Sequence, residues 1–248
     1  KKLLPSVLSS GVTQINIFVG TIIASFEASA VSYLYYADRI YQINLALAGI
    51  AVGTVSLPVL SKAFKQKNIL KISNIQNKSI ELSLLLSLPA SLGLILASEQ
   101  IVNALFGYGS FTKENINMTA SALKYFGYGV PAFALIKILS NFFFARNNTK
   151  TPFYISFFIV VLNLVISIYF FKEIGFIIIP IATSISTWIG VSIYFYILNI
   201  KKFLLLKDYL FKNTFKIILS VILMSFILIY ALDHFSEYLD YNYKYKSI

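Results

Sequence analysis

Residues 32–62 read SYLYYADRIYQINLALAGIAVGTVSLPVLSK, and the 21 positions from Ile40 to Leu60 hold no charged side chain. At 1.5 Å per residue such a run, as a helix, crosses a hydrocarbon core of about 30 Å. Asp38 and Arg39 stand at its N-terminal edge. A cation there either snorkels to a headgroup, with Asp38 as its partner, or faces a bundle interior or watery cavity. On a helix Tyr35, Arg39, Gln42 and Ala46 share one face, a plausible cavity wall. Gly49 and Gly53 form a small-x-x-x-small pair that admits a neighbouring helix. Pro58 is expected to bend or end the helix.

The rest of the chain fits the same class. Hydrophobic residues make up 58% of the 248 positions and charged ones 12%, with a mean hydropathy of +0.76. A soluble domain cannot coat itself with so few polar side chains, so the sequence specifies an all-α, polytopic membrane protein. The net charge of +11 does not point to nucleic acid, because the lysines fall in the gaps between apolar runs. Cysteine is absent, which excludes disulfides, thiolate metal sites and a cysteine nucleophile. No catalytic triad, paired carboxylates or nucleotide motif appears, so neither an enzyme nor ATP is expected. Lys1-Lys2 followed by an apolar stretch and Ala28-Ser29-Ala30 imitates a secretory signal. Pro5, Gln14 and Asn16 interrupt that run, which is also too long for one.

Seven spans are expected, at about 3–29, 32–61, 80–98, 120–145, 153–171, 176–200 and 217–232. The first six form one lobe and the seventh an additional helix. Residues 201–216 form a basic loop and 233–248 a polar tail. Glu27, near the end of the first span, is expected to reach the interface. Lysines 62, 65, 67, 71 and 78 mark a cytoplasmic connection, as do Arg146 with Lys150 and the lysines of 201–216. The loop with Glu99, Lys113 and Glu114 reads as external. Of 21 basic residues, 14 lie at the N-terminal end or in connections placed inside. Lys137, deep in the fourth span, is a second intramembrane cation.

The stretch SYLYYADRIYQ followed by GIAVGTVSLPVLSK resembles the lipid II flippases of peptidoglycan synthesis, the MurJ or MviN family, within the class of multidrug, oligosaccharide-lipid and polysaccharide exporters. The resemblance extends through GVTQINIFVGTIIAS (11–25), LFGYGSFT (105–112) and FFFARNNTKTP (142–152). It covers most of residues 5–190, in the order of the family's second half. It implies a bacterial inner-membrane location and an intact protein of about fourteen spans, of which this chain lacks the first six and the last. It also implies two lobes that rock about a cavity and carry lipid II between leaflets.

In the family several cavity arginines come from the first lobe, and Arg39 corresponds to one from the second. The candidate substrate-binding residues are Arg39, Asp38, Tyr35, Gln42 and Lys137. A guanidinium offers a planar fork that matches pyrophosphate oxygens. Some members bind sodium through an asparagine, an acid one turn later and a threonine on the next helix. Asn163 and Thr183 match two of these, whereas Ser167 stands in place of the acid and removes the charge a hard cation favours. No cofactor is expected, sodium being the ion the resemblance raises. The implied partners are lipid II, membrane lipids and the missing first lobe, with no nucleic acid. The alternatives are export of another lipid-linked sugar or a drug, and a nontransporting fragment or scaffold.

Overall fold

The computed structural model describes residues 18–236. Residues 18–24 are helical and give way to a turn that includes Ser29 at φ 60°. The remainder of the expected first span, with Gln14 and Asn16, lies outside the described residues, as do positions 237–248 of the tail. Helix α1 (Ala30–Leu45) runs through a π-helical segment (Ala46–Ala51) into α2 (Val52–Lys65) without a break. Then come α3 (Ile69–Leu96), the short α4 (Ser98–Phe106), α5 (Lys113–Phe144) and α6 (Lys150–Ile174). A 3₁₀ turn (Gly175–Ile177) leads into α7 (Ile178–Ile200), and α8 (Asp208–His234) follows a linker. No strand occurs among the described residues. The chain is all-α.

Five stretches are long and apolar enough to cross a membrane: Ala30–Lys65, Ile69–Leu96, Lys113–Phe144, Lys150–Ile200 and Asp208–His234. The fourth contains both α6 and α7. Several helices outrun the apolar spans read from sequence. The basic connection expected between Lys62 and Lys78 narrows to residues 66–68, because Asn68 caps α3 by accepting from the Lys71 N–H at 2.9 Å. Thr112 likewise caps α5, accepting from the Asn115 N–H at 3.2 Å, ahead of the expected start at 120. Hydropathy reports where hydrocarbon begins, whereas a cap fixes where the helix begins. The basic segment 201–216 divides as well, with residues 208–216 already helical, although no side chain caps that start.

Helix α5 is the centre. Of its most apolar window 78% is buried, against 11% for α8. Small residues let its neighbours approach: a Cβ on Gly129 would lie 2.7 Å from Ser184 Oγ on α7. Pro131 lacks the N–H that would bond the Gly127 carbonyl. Ser91 of α3 donates its hydroxyl to that carbonyl at 2.8 Å. Nearby, Ser184 donates to Tyr125 O at 2.7 Å and the Trp188 indole N–H to Tyr128 O at 2.9 Å. In hydrocarbon no water can do this work, so side chains of adjacent helices complete the opened ladder. Ser79, Ser83, Ser87 and Ser91 are all buried at four-residue intervals, a stripe that lets the helix bearing them pack closely.

Pro58 does not end its helix, which continues to Lys65. The irregularity lies earlier, in the π segment. Gly49, within it, is buried so closely against α5 that a Cβ would come within 3.2 Å of Ala134 Cα. Asn141 of α5 donates to the Gly53 carbonyl at 2.8 Å, seating the start of α2.

The linker before α8 is held by side chains of α3. Gln76 Nε2 donates to Phe203 O at 2.9 Å, and Asn77 Nδ2 donates to Leu205 O at 2.7 Å. Ser73 Oγ reaches Leu205 O at 3.2 Å, and the Lys207 N–H donates to Asn77 Oδ1 at 3.0 Å. One turn into the bundle, Asn213 of α8 donates to Glu81 Oε1 at 3.1 Å, and Lys78 pairs with the same oxygen at 3.2 Å.

Candidate functional site

The four tyrosines of SYLYYADRIYQ divide by direction. Three are packed. Tyr33 donates to Asn115 Oδ1 at 3.0 Å. Tyr36 lies against Phe106 and Phe111, with ring centroids at 4.8 and 5.4 Å. Tyr41 is buried against Phe126 and Phe133, each at 5.3 Å. The LFGYGSFT turn thus braces the back of α1. Tyr35 alone faces outward, 54% exposed.

Arg39, Gln42 and Ala46 are exposed with it, so the face drawn from helical spacing is open along its length. Arg39 Nη2 donates to the Tyr35 hydroxyl at 3.0 Å, and its guanidinium carbon lies 4.7 Å from the Tyr35 ring centroid. Asp38 accepts from the Gln42 amide one turn on. The hydrogen-bond partner of Asp38 is thus Gln42, and no Asp38–Arg39 ion pair forms among the described residues. Adjacent residues diverge by about 100° around a helix, whereas residues four apart meet. The ion pair among the described residues is Lys78–Glu81.

Lys137 is also exposed, beside the π segment: its Cγ would lie 3.5 Å from a Cβ on Gly49. Ten residues separate Gly49 from Arg39, about 15 Å of helix. Among the described residues the Lys137 ammonium makes no ion pair. The two cations share an open surface at different depths without touching.

Asn163 and Thr183 do come together: the Asn163 amide donates to Thr183 Oγ1 at 2.8 Å, and Ser167 Oγ reaches Asn163 Oδ1 at 3.5 Å. Thr183 passes its own proton to Ile179 O at 2.7 Å. The three side chains satisfy one another and include no carboxylate. Among the described residues no group of His, Cys, Asp or Glu is placed to hold a metal. The contact brings the two residues of the sodium expectation together, with Ser167 where the acid would stand.

Two features went unread in the sequence. Arg146, taken only as a loop charge, lies 4.2 Å from both the Phe64 and Phe203 ring centroids. It donates to Phe142 O at 2.7 Å and Phe203 O at 2.6 Å. Burial pushes its pKa down to about 10, which leaves it a cation at neutral pH. Glu27, expected to reach the interface, accepts from the Phe176 N–H at 2.7 Å in the turn between α6 and α7, covering the start of the helix that becomes α7. A groove of about 670 Å³ between α3, α5, α7 and α8 is lined by Leu88, Leu92, Tyr128, Trp188, Ile218 and Ile222, among others.

The bundle thus presents an open Arg39 face and, separately, an apolar groove. The family model described as lipid II flippase MurJ matches residues 1–246. The chain belongs to the MurJ family of lipid II flippases. The probable lipid II flippase MurJ of Rickettsia prowazekii strain Madrid E is 37% identical over 247 residues, covering 98% of this chain and 49% of that protein. Its counterpart in Rhizobium meliloti strain 1021 is 40% identical over 192 residues, 77% of this chain and 36% of that one. The chain thus spans about half the length of the curated relatives it matches most fully.

A solved structure of lipid II flippase MurJ in an inward closed conformation superposes with a TM-score of 0.80 at 29% identity, over 92% of this chain and 47% of that one. An outward-facing multidrug resistance MATE family transporter of the MOP superfamily shares the fold, with a TM-score of 0.70 at 16% identity over 90% and 51% of the two chains. Family and helices place the chain as a multi-pass protein of the bacterial inner membrane.

Proposed function

We propose that the chain is the C-terminal portion of a lipid II flippase and supplies one wall of an alternating-access cavity. The observation that carries this reading is the outward Arg39 face, found on a chain of this family. Lipid II carries a pyrophosphate between its polyprenyl tail and its sugars. Crossing a low-dielectric region, that group needs a cation, and a guanidinium can take two of its oxygens at once. Tyr35 holds Arg39 at the open surface while its remaining N–H groups stay available. Asp38 and Gln42, bonded to each other, border the same face. Lys137 adds positive charge farther along.

The first lobe, outside this chain, completes the cavity. The groove against α8 is apolar and suits a polyprenyl tail, by resemblance to the family. The chain works as a transporter rather than an enzyme, with no cofactor, and the Asn163–Thr183 contact acts as a neutral staple between α6 and α7.

The test is a comparison of Arg39→Lys with Arg39→Ala, with the first lobe supplied and flipping normalised to membrane abundance. Loss of a charge-assisted hydrogen bond predicts a fall of roughly tenfold or more for alanine. Lysine should be impaired too, because it keeps the charge but loses the fork. Normal flipping by Arg39→Ala would sink the assignment.

A further inference from the structure

The C-termini of α2, α5 and α7 meet around Arg146. Each of these helices is followed by a left-handed residue: Lys67 at φ 54°, Asn147 at φ 57° and Lys202 at φ 52°. The Arg146 guanidinium lies between the ring of Phe64, in the last turn of α2, and the ring of Phe203, just past α7. Its N–H groups go to Phe142 O, in the last turn of α5, and to Phe203 O. Helix C-termini carry partial negative charge, so a cation is favoured where three of them gather. Among the described residues no carboxylate pairs with Arg146. Carbonyl dipoles and ring faces balance its charge instead.

Helix α8 has few other constraints. Its most apolar window is 11% buried, and it packs chiefly on α3. The groove of about 670 Å³ opens between it and α5 and α7. The linker therefore decides where α8 enters the bundle, and Phe203, which gives Arg146 both a ring and a carbonyl, begins that linker. We infer that Arg146 is a positioning residue that ties α8, with its Ile218 and Ile222 wall of the groove, to α2, the continuation of the helix that carries Arg39. The two surfaces then keep their spacing as the lobe moves. A lipid with its pyrophosphate at Arg39 and its tail in the groove would be handled as one body. That consequence rests on the proposed flippase reading, whereas the tether itself stands on geometry alone. Lysine cannot replace the arginine, because an ammonium lacks the planar fork that stacks on rings and donates from two separate nitrogens.

The chain has no native cysteine, so nitroxide pairs can be placed at positions 59 and 219, on α2 and α8, and at 59 and 165, on α2 and α6. Val59, Leu219 and Val165 are all exposed. Distance distributions are read by pulsed electron–electron resonance in membranes with the first lobe co-expressed. Arg146→Ala and Arg146→Lys should each roughly double the width of the 59–219 distribution, as local release of one element predicts, and leave 59–165 unchanged. Gln76→Leu removes the other donor to Phe203 O, keeps the cation, and should stay parental. In label-free versions, flipping normalised to membrane abundance should fall about tenfold in Arg146→Ala, the effect of losing one charge-assisted hydrogen bond.

A parental 59–219 width in Arg146→Ala overturns the inference. Equal widening of both pairs overturns it too, since Arg146 would then support the lobe as a whole, and so does a Gln76→Leu variant as loose as Arg146→Ala. If the alanine variant fails to accumulate, Arg146→Lys decides by the same two widths, and failure of both variants to accumulate overturns the tether. A widened 59–219 distribution with undiminished flipping upholds the tether and refutes the part given to the groove in transport. Normal flipping by Arg39→Ala would remove the proposed function and leave the tether standing.

Discussion

Replacing Asn77 by leucine should loosen the linker ahead of α8 without disturbing the lobe. Asn77 is fully buried and binds the linker twice, through Nδ2 to Leu205 O at 2.7 Å and through Oδ1 from the Lys207 N–H at 3.0 Å. Leucine preserves the volume and removes both bonds. Leu205 O keeps the longer contact from Ser73 Oγ at 3.2 Å, whereas the Lys207 N–H loses its acceptor. A typical hydrogen bond contributes about 0.5–1.5 kcal/mol net, so the two that Asn77 makes to this partly exposed linker sum to about 2 kcal/mol. Confined to the linker, that amounts to roughly a 30-fold rise in local opening. Amide hydrogen exchange at Lys207 reads it directly. Gln76→Leu is the internal comparison: Phe203 O would still accept from Arg146 Nη2 at 2.6 Å, and the Lys207 N–H, still bonded to Asn77 Oδ1, should stay protected. Exchange at Lys207 within about threefold of the parent would refute this account of how the linker is held.

Ser91→Ala should destabilise the helical bundle by about 1 kcal/mol in thermal unfolding, since the Gly127 carbonyl opened by Pro131 loses the hydroxyl that reaches it. Lys202→Gly should raise stability by about 1 kcal/mol, because Lys202 ends α7 at φ 52°, where a Cβ is penalised. Single cysteines at Asn68 and Ser110 should react differently with an impermeant thiol reagent in intact cells. Labelling of 68 but not 110 from outside would reverse the proposed topology.

The membrane class and the open face were legible because both are periodic. Charge-free length marks a span, and four-residue spacing placed Tyr35, Arg39, Gln42 and Ala46 together before any coordinates. The role of Asp38 was legible too, had the same spacing been applied to it: its partner had to be Gln42, four away, rather than Arg39 beside it. Arg146 and Glu27 were not legible, because their partners are backbone groups distant in sequence at Phe203 and Phe176. No side-chain pattern announces a carbonyl. The helix starts at Ile69 and Lys113 were not legible in hydropathy, which marks apolar spans and is blind to the Asn68 and Thr112 caps. Pro58 drew the expectation of a bend or an end, and the end is not there, since its helix runs on to Lys65.

The π segment has a genetic consequence. A π turn holds one residue more than α geometry needs, and the buried residues on either side of Ala46–Ala51 are one position out of step in numbering. Loss of one codon within 46–51 therefore restores a regular helix and leaves the buried faces of α1 and α2 in line, whereas the same loss within α1 or past Gly53 turns one of those faces by about 100°. Deep mutational scanning should show single-codon deletions tolerated better across 46–51 than on either side. Length in that segment is a slack the helix can give up without changing what it presents to the bundle.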